Sequence, residues 1–133
     1  MRIIIDTNLW ISYLIFNRLI QIDLLIETRA VRLVFSEELL QEFVGVAMRP
    51  KFRKIFSGED IEALLELFEA FGELVEVVSE VEVCRDPKDN FLLALAKDSG
   101  ADYLITGDQD VLVLDRFEQT NIVTFTEFIE LIG

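Results

Sequence analysis

Histidine is absent from this sequence of 133 residues, and the only cysteine is Cys84. The missing histidine removes the side chain that enzymes use most often as a general base near neutral pH. A single cysteine forms no internal disulfide, which agrees with a reducing compartment, and we interpret Cys84 as a small buried residue rather than a reactive thiol. Carboxylates are therefore the main chemical groups available to the chain.

Basic residues are also scarce, because 12 lysines and arginines stand against 25 acids and give a net charge of −13. Non-specific binding to nucleic acid depends on basic residues that release counterions, so this balance argues against a broad affinity for nucleic acid. A third of the basic residues nevertheless lie within six positions, here called the basic segment: Arg49, Lys51, Arg53 and Lys54. This segment is either a local nucleic-acid contact or an ordinary solvated turn.

Apolar runs long enough to cross a membrane are missing as well. The most apolar window, Leu9–Ile26, is interrupted by Asn17, Arg18, Gln21 and Asp23. Arg18 and Asp23 in particular place two charges within the window, so we expect no membrane span here. Asp6 breaks the first apolar run too early for a signal peptide, so we expect a cytoplasmic protein.

The remaining composition is typical of a globular protein, with 52% hydrophobic and 28% charged residues. Pro50 and Pro87 are the only prolines, and the sequence contains no repeat, low-complexity segment or linker. We therefore expect one domain that spans residues 1–133 and is large enough for a hydrophobic core.

Short runs rich in β-branched or aromatic residues alternate with segments of helical periodicity. The runs are too short for helices and are predicted to be strands: Arg2–Ile5, Arg32–Phe35, Leu74–Val78, Tyr103–Thr106 and Asn121–Phe125. Strands that alternate with helices predict an α/β fold, in which helices cover both faces of a mainly parallel sheet.

Helix boundaries can be predicted from the residues that favour helix starts. Ser36 is a plausible N-cap for one helix, and Ser57 or Gly58 opens the next. The segment from about Asp89 to Asp98 is apolar on all sides, so we expect this helix to be buried. We expect two further helices within Leu9–Thr28.

Four acids at the ends of apolar runs are the candidate functional residues. Asp6 follows the first predicted strand, Asp108 follows the fourth, and Asp89 opens the buried helix between the third and fourth strands. In a parallel sheet, ligands bind beyond the carboxyl ends of the strands, so these acids are expected at one edge. Oxygen ligands of this kind are those that Mg²⁺ prefers.

Glu42, the fourth acid, is selected by its position on a predicted helix. At about 100° per residue, Glu42 lies about 60° from Leu39, at the border of the apolar stripe. It can therefore point towards a neighbouring element rather than into solvent. Glu38 lies farther from the stripe and is the weaker candidate.

Two carboxylates about 5 Å apart repel by about 3 kcal/mol at an effective dielectric constant of about 20. A cluster of four would therefore lose stability or take up protons unless a cation neutralised it. The simpler interpretation is that each acid separately caps a helix or a turn. Four acids at successive strand–helix junctions of a small protein favour a functional site.

The chain resembles the PIN domain family in four segments that occur in the family's order. They are Asp6-Thr7-Asn8 after the first strand, Ser36 to Phe43 with Glu42, Asp86 to Leu92 with Asp89, and Thr106-Gly107-Asp108-Gln109-Asp110. The segment Met48 to Phe52 also resembles a stretch found in the bacterial and archaeal toxin-like branch of that family. The resemblance covers nearly the whole chain.

The resemblance implies a Rossmann-like three-layer sandwich with a parallel five-stranded sheet of order 3-2-1-4-5. It implies Mg²⁺- or Mn²⁺-dependent cleavage of single-stranded RNA, a homodimer and, in the toxin-like branch, a cognate antitoxin. The implied metal-binding and catalytic acids are Asp6, Glu42, Asp89 and Asp108, with Asp110 as an auxiliary metal-binding acid. Asn8 and Thr106 would hold these carboxylates in place. The basic segment would contact the RNA backbone.

The implied mechanism uses a water molecule activated by one or two divalent ions, because no histidine or lysine near the acids is an obvious general base. An aspartyl-phosphate phosphatase would need an aspartate at position 8, where this chain has Asn8. A receiver domain would need paired acids after the first strand and a lysine after the last. A PIN-like binding or assembly module with little activity stays open, because the net charge disfavours RNA binding.

Large apolar residues crowd the segment Leu9–Ile26, which carries more of them than one side of a short helix pair readily buries. An exposed remainder would form an apolar patch, so we expect the protein to self-associate through this segment. Complete burial of the segment against the sheet is the alternative.

Overall fold

The computed structural model describes residues 1–16, 28 and 30–132 of the chain. Within these residues, six strands form one sheet in the order β3-β2-β1-β4-β6-β5. Their bounds are β1 Arg2–Ile5, β2 Arg32–Phe35, β3 Gly72–Leu74, β4 Tyr103–Ile105, β5 Arg116–Phe117 and β6 Thr120–Val123. The first five strands in this order are parallel to their neighbours, and β5 pairs antiparallel with β6 at the edge.

The predicted α/β fold with a mainly parallel sheet is confirmed, but the strand count differs from the prediction. The five predicted strands correspond to β1, β2, β3, β4 and β6, which follow the expected order 3-2-1-4-5. The sixth strand, β5, is only two residues long, and a turn that contains Glu118, whose φ is 54°, connects it to β6. A pair of residues is too short to give a strand pattern in the sequence.

The predicted bounds of the third strand were wrong, because β3 ends at Leu74 and the prediction covered Leu74–Val78. Beyond Val75, whose N–H donates to Phe35 O, the chain leaves the sheet. The Asp98 carboxylate accepts hydrogen bonds from the N–H groups of Val78 and Ser79, at 2.7 and 2.8 Å. These bonds satisfy the backbone outside the sheet, so alternation of apolar residues alone does not define this strand.

Six helices connect the strands within the described residues. They are α1 Thr7–Phe16, α2 Glu37–Ala47, α3 Gly58–Phe71, α4 Asn90–Ser99, α5 Gln109–Leu112 and α6 Phe125–Ile132, and short 3₁₀ turns cover Pro50–Phe52 and Pro87–Asp89. Of the two helices predicted within Leu9–Thr28, α1 is observed; the position of the second lies outside the described residues. None of the described helices is long and apolar enough to cross a membrane.

Both predicted helix caps are confirmed. Ser36 Oγ accepts a hydrogen bond from Leu39 N at 3.1 Å at the start of α2. Ser57 and Asp60 form a reciprocal capping box at the start of α3, in which each side chain accepts from the other's backbone N–H. Such caps satisfy N–H groups that have no partner within the helix, which fixes where each helix begins.

The core lies on both faces of the sheet. Ile3 and Ile5 of β1 pack on one face with aromatic residues such as Phe43 and Phe68. Ile4 packs on the opposite face with α4, whose Leu92 is fully buried. The expected burial of the fourth helix is confirmed, and the strand ends that carry the acids rest on packed layers on both sides.

Candidate active site

The site begins at the carboxyl ends of the central strands β1 and β4. Asp6 directly follows β1, and its backbone N–H donates to Ile105 O of β4 at 3.0 Å. This bond continues the pairing of the two strands and holds Asp6 against the end of β4. Asp6 is only 5% exposed, so its carboxylate is withdrawn from bulk water.

Thr106 joins the acids that follow these two strands. Its hydroxyl donates to Asp6 Oδ2 at 2.8 Å and accepts from the backbone N–H of Asp108 at 3.1 Å. Thr106 is itself fully buried, so the hydroxyl is held in one environment. The hydroxyl therefore fixes the orientation of the Asp6 carboxylate relative to the loop that carries Asp108.

The surroundings of Asp6 have opposing effects on the charge of its carboxylate. Burial raises the pKa of Asp6, the hydrogen bonds from Thr106 and from the Thr7 backbone lower it, and the negative charge of Asp108 raises it again. The net direction is upward. The carboxylate is therefore oriented by hydrogen bonds in a place where its negative charge is unfavourable.

Asp89 reaches the same site from the 3₁₀ turn that precedes α4. Its pKa is raised to about 7 by burial, by a hydrogen bond with the Asp108 side chain, and by the charges of Asp108, Asp6 and Asp86. Asp89 Oδ2 is buried and has no hydrogen-bond partner among the described residues. The structure thus brings Asp6, Asp89 and Asp108 together.

Glu42 approaches the cluster from α2. The side chain as a whole is exposed, but its carboxylate is partly desolvated, and this desolvation and the charge of Asp6 raise its pKa. The Arg49 guanidinium acts in the opposite direction and lowers the pKa of Glu42. Glu42 therefore lies within electrostatic range of both Asp6 and the first residue of the basic segment.

Asp110 lies at the margin of the cluster and is paired with a cation. Its Oδ1 lies 3.0 Å from Arg85 Nη2, and the same nitrogen donates to Gln109 O at 3.3 Å. The backbone N–H of Asp110 donates to Asp108 Oδ1 at 2.9 Å. The sequence analysis assigned no role to Arg85, although this residue lies directly before Asp86, the first residue of one of the four acidic segments.

The remaining candidate residues are less closely connected to the acids. Asn8 is exposed and its side chain makes no hydrogen bond to Asp6 in the described part of the chain; its carbonyl accepts from Ser12 Oγ at 3.0 Å. Lys51, Arg53 and Lys54 are exposed around the 3₁₀ turn Pro50–Phe52. Lys51 Nζ lies 5.0 Å from the centroid of the Phe52 ring.

Cys84 is buried beside the acids, as expected. Its Sγ lies 3.3 Å from Asp110 O, and Asn90 Oδ1 accepts from its backbone N–H at 2.9 Å. Burial raises the pKa of its thiol, and the charges of Asp89, Asp108 and Asp110 add to this effect. A thiol in this environment stays protonated and is a poor nucleophile.

The chemical character of the cluster fits a hard divalent cation. All its potential ligand atoms are oxygens. Burial and neighbouring carboxylates raise the pKa values of Asp6, Glu42 and Asp89, and Asp89 Oδ2 lacks a hydrogen-bond partner among the described residues. Among the described residues, no three acidic or cysteine side chains are spaced closely enough to bind a metal ion without moving. A cation held by Asp6, Asp89 and Asp108 would relieve the repulsion between their carboxylates.

Comparison with known proteins now places the chain in a family. A family model described as the PIN domain matches residues 2–110, a range that contains all five candidate acids. The chain belongs to the PIN domain family. It is also 33% identical over 117 residues to the uncharacterized protein MJ1680 of Methanocaldococcus jannaschii, covering 85% of this chain and 74% of that protein.

PIN domains are generally nucleases, that is, hydrolases of phosphodiester bonds, and generally use divalent metal ions. The family predicted from the four acidic segments is thus confirmed, and membership indicates nuclease activity. The match does not specify the toxin-like branch. The functional roles of the individual acids stay predictions.

Proposed function

We propose that this PIN domain protein is a Mg²⁺- or Mn²⁺-dependent endoribonuclease that cleaves single-stranded RNA. The observation that carries the proposal is the meeting of Asp6, Asp89 and Asp108, in which the pKa of Asp89 is raised to about 7 and one buried oxygen is left without a partner. Such a cluster is unfavourable in the metal-free protein. The free-energy cost of placing these carboxylates close together is explained if they bind a cation.

In this proposal Asp6, Glu42, Asp89 and Asp108 hold the metal, and Asp110 lies at the margin of the site. A divalent ion there would lower the pKa of a bound water molecule and neutralise charge on the phosphate. Thr106 fixes the direction of the Asp6 carboxylate through its 2.8 Å hydrogen bond. Arg49, next to Glu42, offers a positive charge to the phosphate backbone beside the acids.

The direct test compares single-stranded RNA, double-stranded RNA and single-stranded DNA of one sequence, each with Mn²⁺, Mg²⁺ or EDTA. We expect internal cleavage of single-stranded RNA with either metal and none with EDTA. If Mn²⁺ binds, as seen by calorimetry, but no substrate is cleaved, the protein is the catalytically weak binding or assembly module instead. The net charge of −13 is the observation that favours that second function.

We further propose that the protein is a toxin that acts in the cytoplasm and is neutralised by an antitoxin protein. This proposal is supported by the resemblance of Met48 to Phe52 to the toxin-like branch. A short gene for a basic DNA-binding protein directly upstream would support this role. The product of that gene should form a complex with the protein and inhibit its RNA cleavage.

We expect the basic segment to guide the RNA strand. Replacing Lys51 and Arg53 with alanine should weaken RNA binding. The slope of log Kd against log salt concentration should fall by about 1.4, because each lost phosphate contact to a single strand lowers this slope by about 0.7. The Mn²⁺ affinity should not change. A double variant of Arg32 and Arg116, two exposed arginines elsewhere in the sheet, is the matched control. An unchanged slope in the first variant would contradict this role.

Thr106→Val should weaken Mn²⁺ binding by about 10- to 100-fold, because the Asp6 carboxylate would lose the hydroxyl that orients it. Isothermal titration calorimetry measures this effect. Thr120→Val is the matched control: Thr120 is also fully buried, and its hydroxyl donates to Ala101 O at 2.7 Å, away from the acids. Equal losses of Mn²⁺ affinity in both variants would mean that Thr106 acts only through stability.

We also propose a homodimer. Of the segment Leu9–Ile26 on which this expectation depends, only the part up to Phe16 lies among the described residues. Light scattering at tens of micromolar should give the mass of two chains, about twice 15.3 kDa. A monomeric mass at that concentration would exclude the dimer.

A further inference from the structure

Arg85 is a cation at the edge of an otherwise acidic cluster. Its only hydrogen bond and ion pair in the described part of the chain are made by Nη2, which lies 3.0 Å from Asp110 Oδ1 and 3.3 Å from Gln109 O. The other two guanidinium nitrogens, Nε and Nη1, have no protein partner there. The Arg85 side chain is 59% exposed, so solvent and ligands have access to it beside the site.

The position of Arg85 complements that of Arg49. Arg49 lies near Glu42 of α2, which follows β2, whereas Arg85 is bound to Asp110 of α5, which follows β4. The sheet order places β2 and β4 on opposite sides of β1, whose end carries Asp6. Two guanidinium groups therefore flank the acids, one on each side.

A polyanion can approach this acidic site only where local positive charge offsets the field of the protein. Arginine suits this task, because its planar guanidinium presents several N–H donors to one phosphate. We propose that Arg85 binds a backbone phosphate of the substrate RNA beside the cleaved bond, an inference that rests on the proposed nuclease function. Asp110 then acts as a positioning residue, which holds the guanidinium through Nη2 and leaves its other donors for the phosphate.

A purely structural role is the competing explanation, because Arg85 also braces the loop before the 3₁₀ turn against α5. The two roles can be separated by changing charge and bracing independently. Arg85→Gln removes the charge but keeps a polar side chain with an N–H donor. Arg85→Lys keeps the charge but loses the planar group. Arg116→Ala removes an equal charge from β5, where the Arg116 guanidinium donates to Glu118 O.

The experiment measures binding of a labelled single-stranded RNA to each folded variant in Ca²⁺ at several salt concentrations, together with Mn²⁺ affinity and melting temperature. We expect Arg85→Gln to bind RNA about five- to tenfold more weakly. Its salt slope should fall by about 0.7. Arg85→Lys should keep the wild-type slope, and Arg116→Ala should match wild type in both affinity and slope.

A wild-type salt slope in Arg85→Gln would overturn the inference. Equal losses of RNA affinity in Arg85→Gln and Arg116→Ala would also overturn it, because they would show that only the overall charge of the protein matters. A lower melting temperature in Arg85→Gln with unchanged RNA binding would assign Arg85 to bracing. In any of these three cases the proposed nuclease function stands if the wild-type protein cleaves the same RNA with Mn²⁺. Failure of the wild-type protein to bind or cleave any RNA overturns the proposed function itself.

Discussion

Asp6→Asn should reduce Mn²⁺-dependent RNA cleavage on the order of a thousandfold. A metal ion in such a site contributes several kcal/mol to the transition state, and each 1.36 kcal/mol changes the rate about tenfold. Asparagine keeps an oxygen that can accept the hydrogen bond from Thr106, so the local geometry is preserved while the anionic ligand is lost. Calorimetry should show a parallel loss of Mn²⁺ affinity.

The same change should leave the metal-free protein as stable as the wild type or more stable. Burial raises the pKa of Asp6, so its negative charge opposes folding at neutral pH. The gain in melting temperature should be present above the folded-state pKa and should vanish in acid, where Asp6 is protonated in both states.

Asp102→Asn provides the matched control for Asp6→Asn. Asp102 is an exposed aspartate that precedes β4 and accepts a hydrogen bond from Arg2 N at 2.8 Å. Its replacement removes the same charge at the amino end of the sheet and should not affect cleavage. A clear fall in metal-free stability in Asp6→Asn alone would make Asp6 a structural cap.

The stability of the metal-free protein should decrease as the pH rises from 5 to 8.5. The pKa of Asp89 is raised from 3.8 to about 7, so its stabilising contribution is complete below the unfolded-state pKa and is lost as the pH passes the folded-state value. Because Asp89 is partly exposed, solvent screening reduces the effect to about 1–2 kcal/mol. This corresponds to a fall of roughly 3–8 °C in melting temperature.

Asp89→Asn should remove most of this pH dependence, and Asp102→Asn should retain it. Over the same range the Mn²⁺ affinity of the wild-type protein should rise with pH, because the metal must displace the proton from Asp89. Thermal melts in EDTA and calorimetric titrations at four or five pH values provide the measurement. A melting temperature that stays constant between pH 5 and 8.5 would show that Asp89 titrates in its ordinary range.

The regular elements of the protein were largely predictable because their causes are local. The caps at Ser36 and Ser57 and the buried helix α4 follow from short-range hydrogen bonding and apolar periodicity, which the sequence displays directly. Two differences between the predicted and the observed sheet have non-local causes. The end of β3 depends on Asp98 of α4, and β5 exists only because it pairs with β6.

The candidate site divides in the same way. The sequence alone determined that Asp6 and Asp108 follow parallel strands, and therefore that they share one edge of the sheet. The sequence alone also showed the four segments that resemble the PIN domain and the shortage of basic residues. Those properties depend on residue order and composition.

Only the tertiary structure decided how the groups at this edge affect one another. Thr106 donates a hydrogen bond to Asp6, 100 positions earlier in the chain. Arg85 forms an ion pair with Asp110, 25 positions later. No periodic pattern in the sequence predicts either contact. The raised pKa of Asp89 likewise arises from burial and from three neighbouring carboxylates. Electrostatic interactions depend on distance and on solvent exposure, and both are set only when the chain has folded.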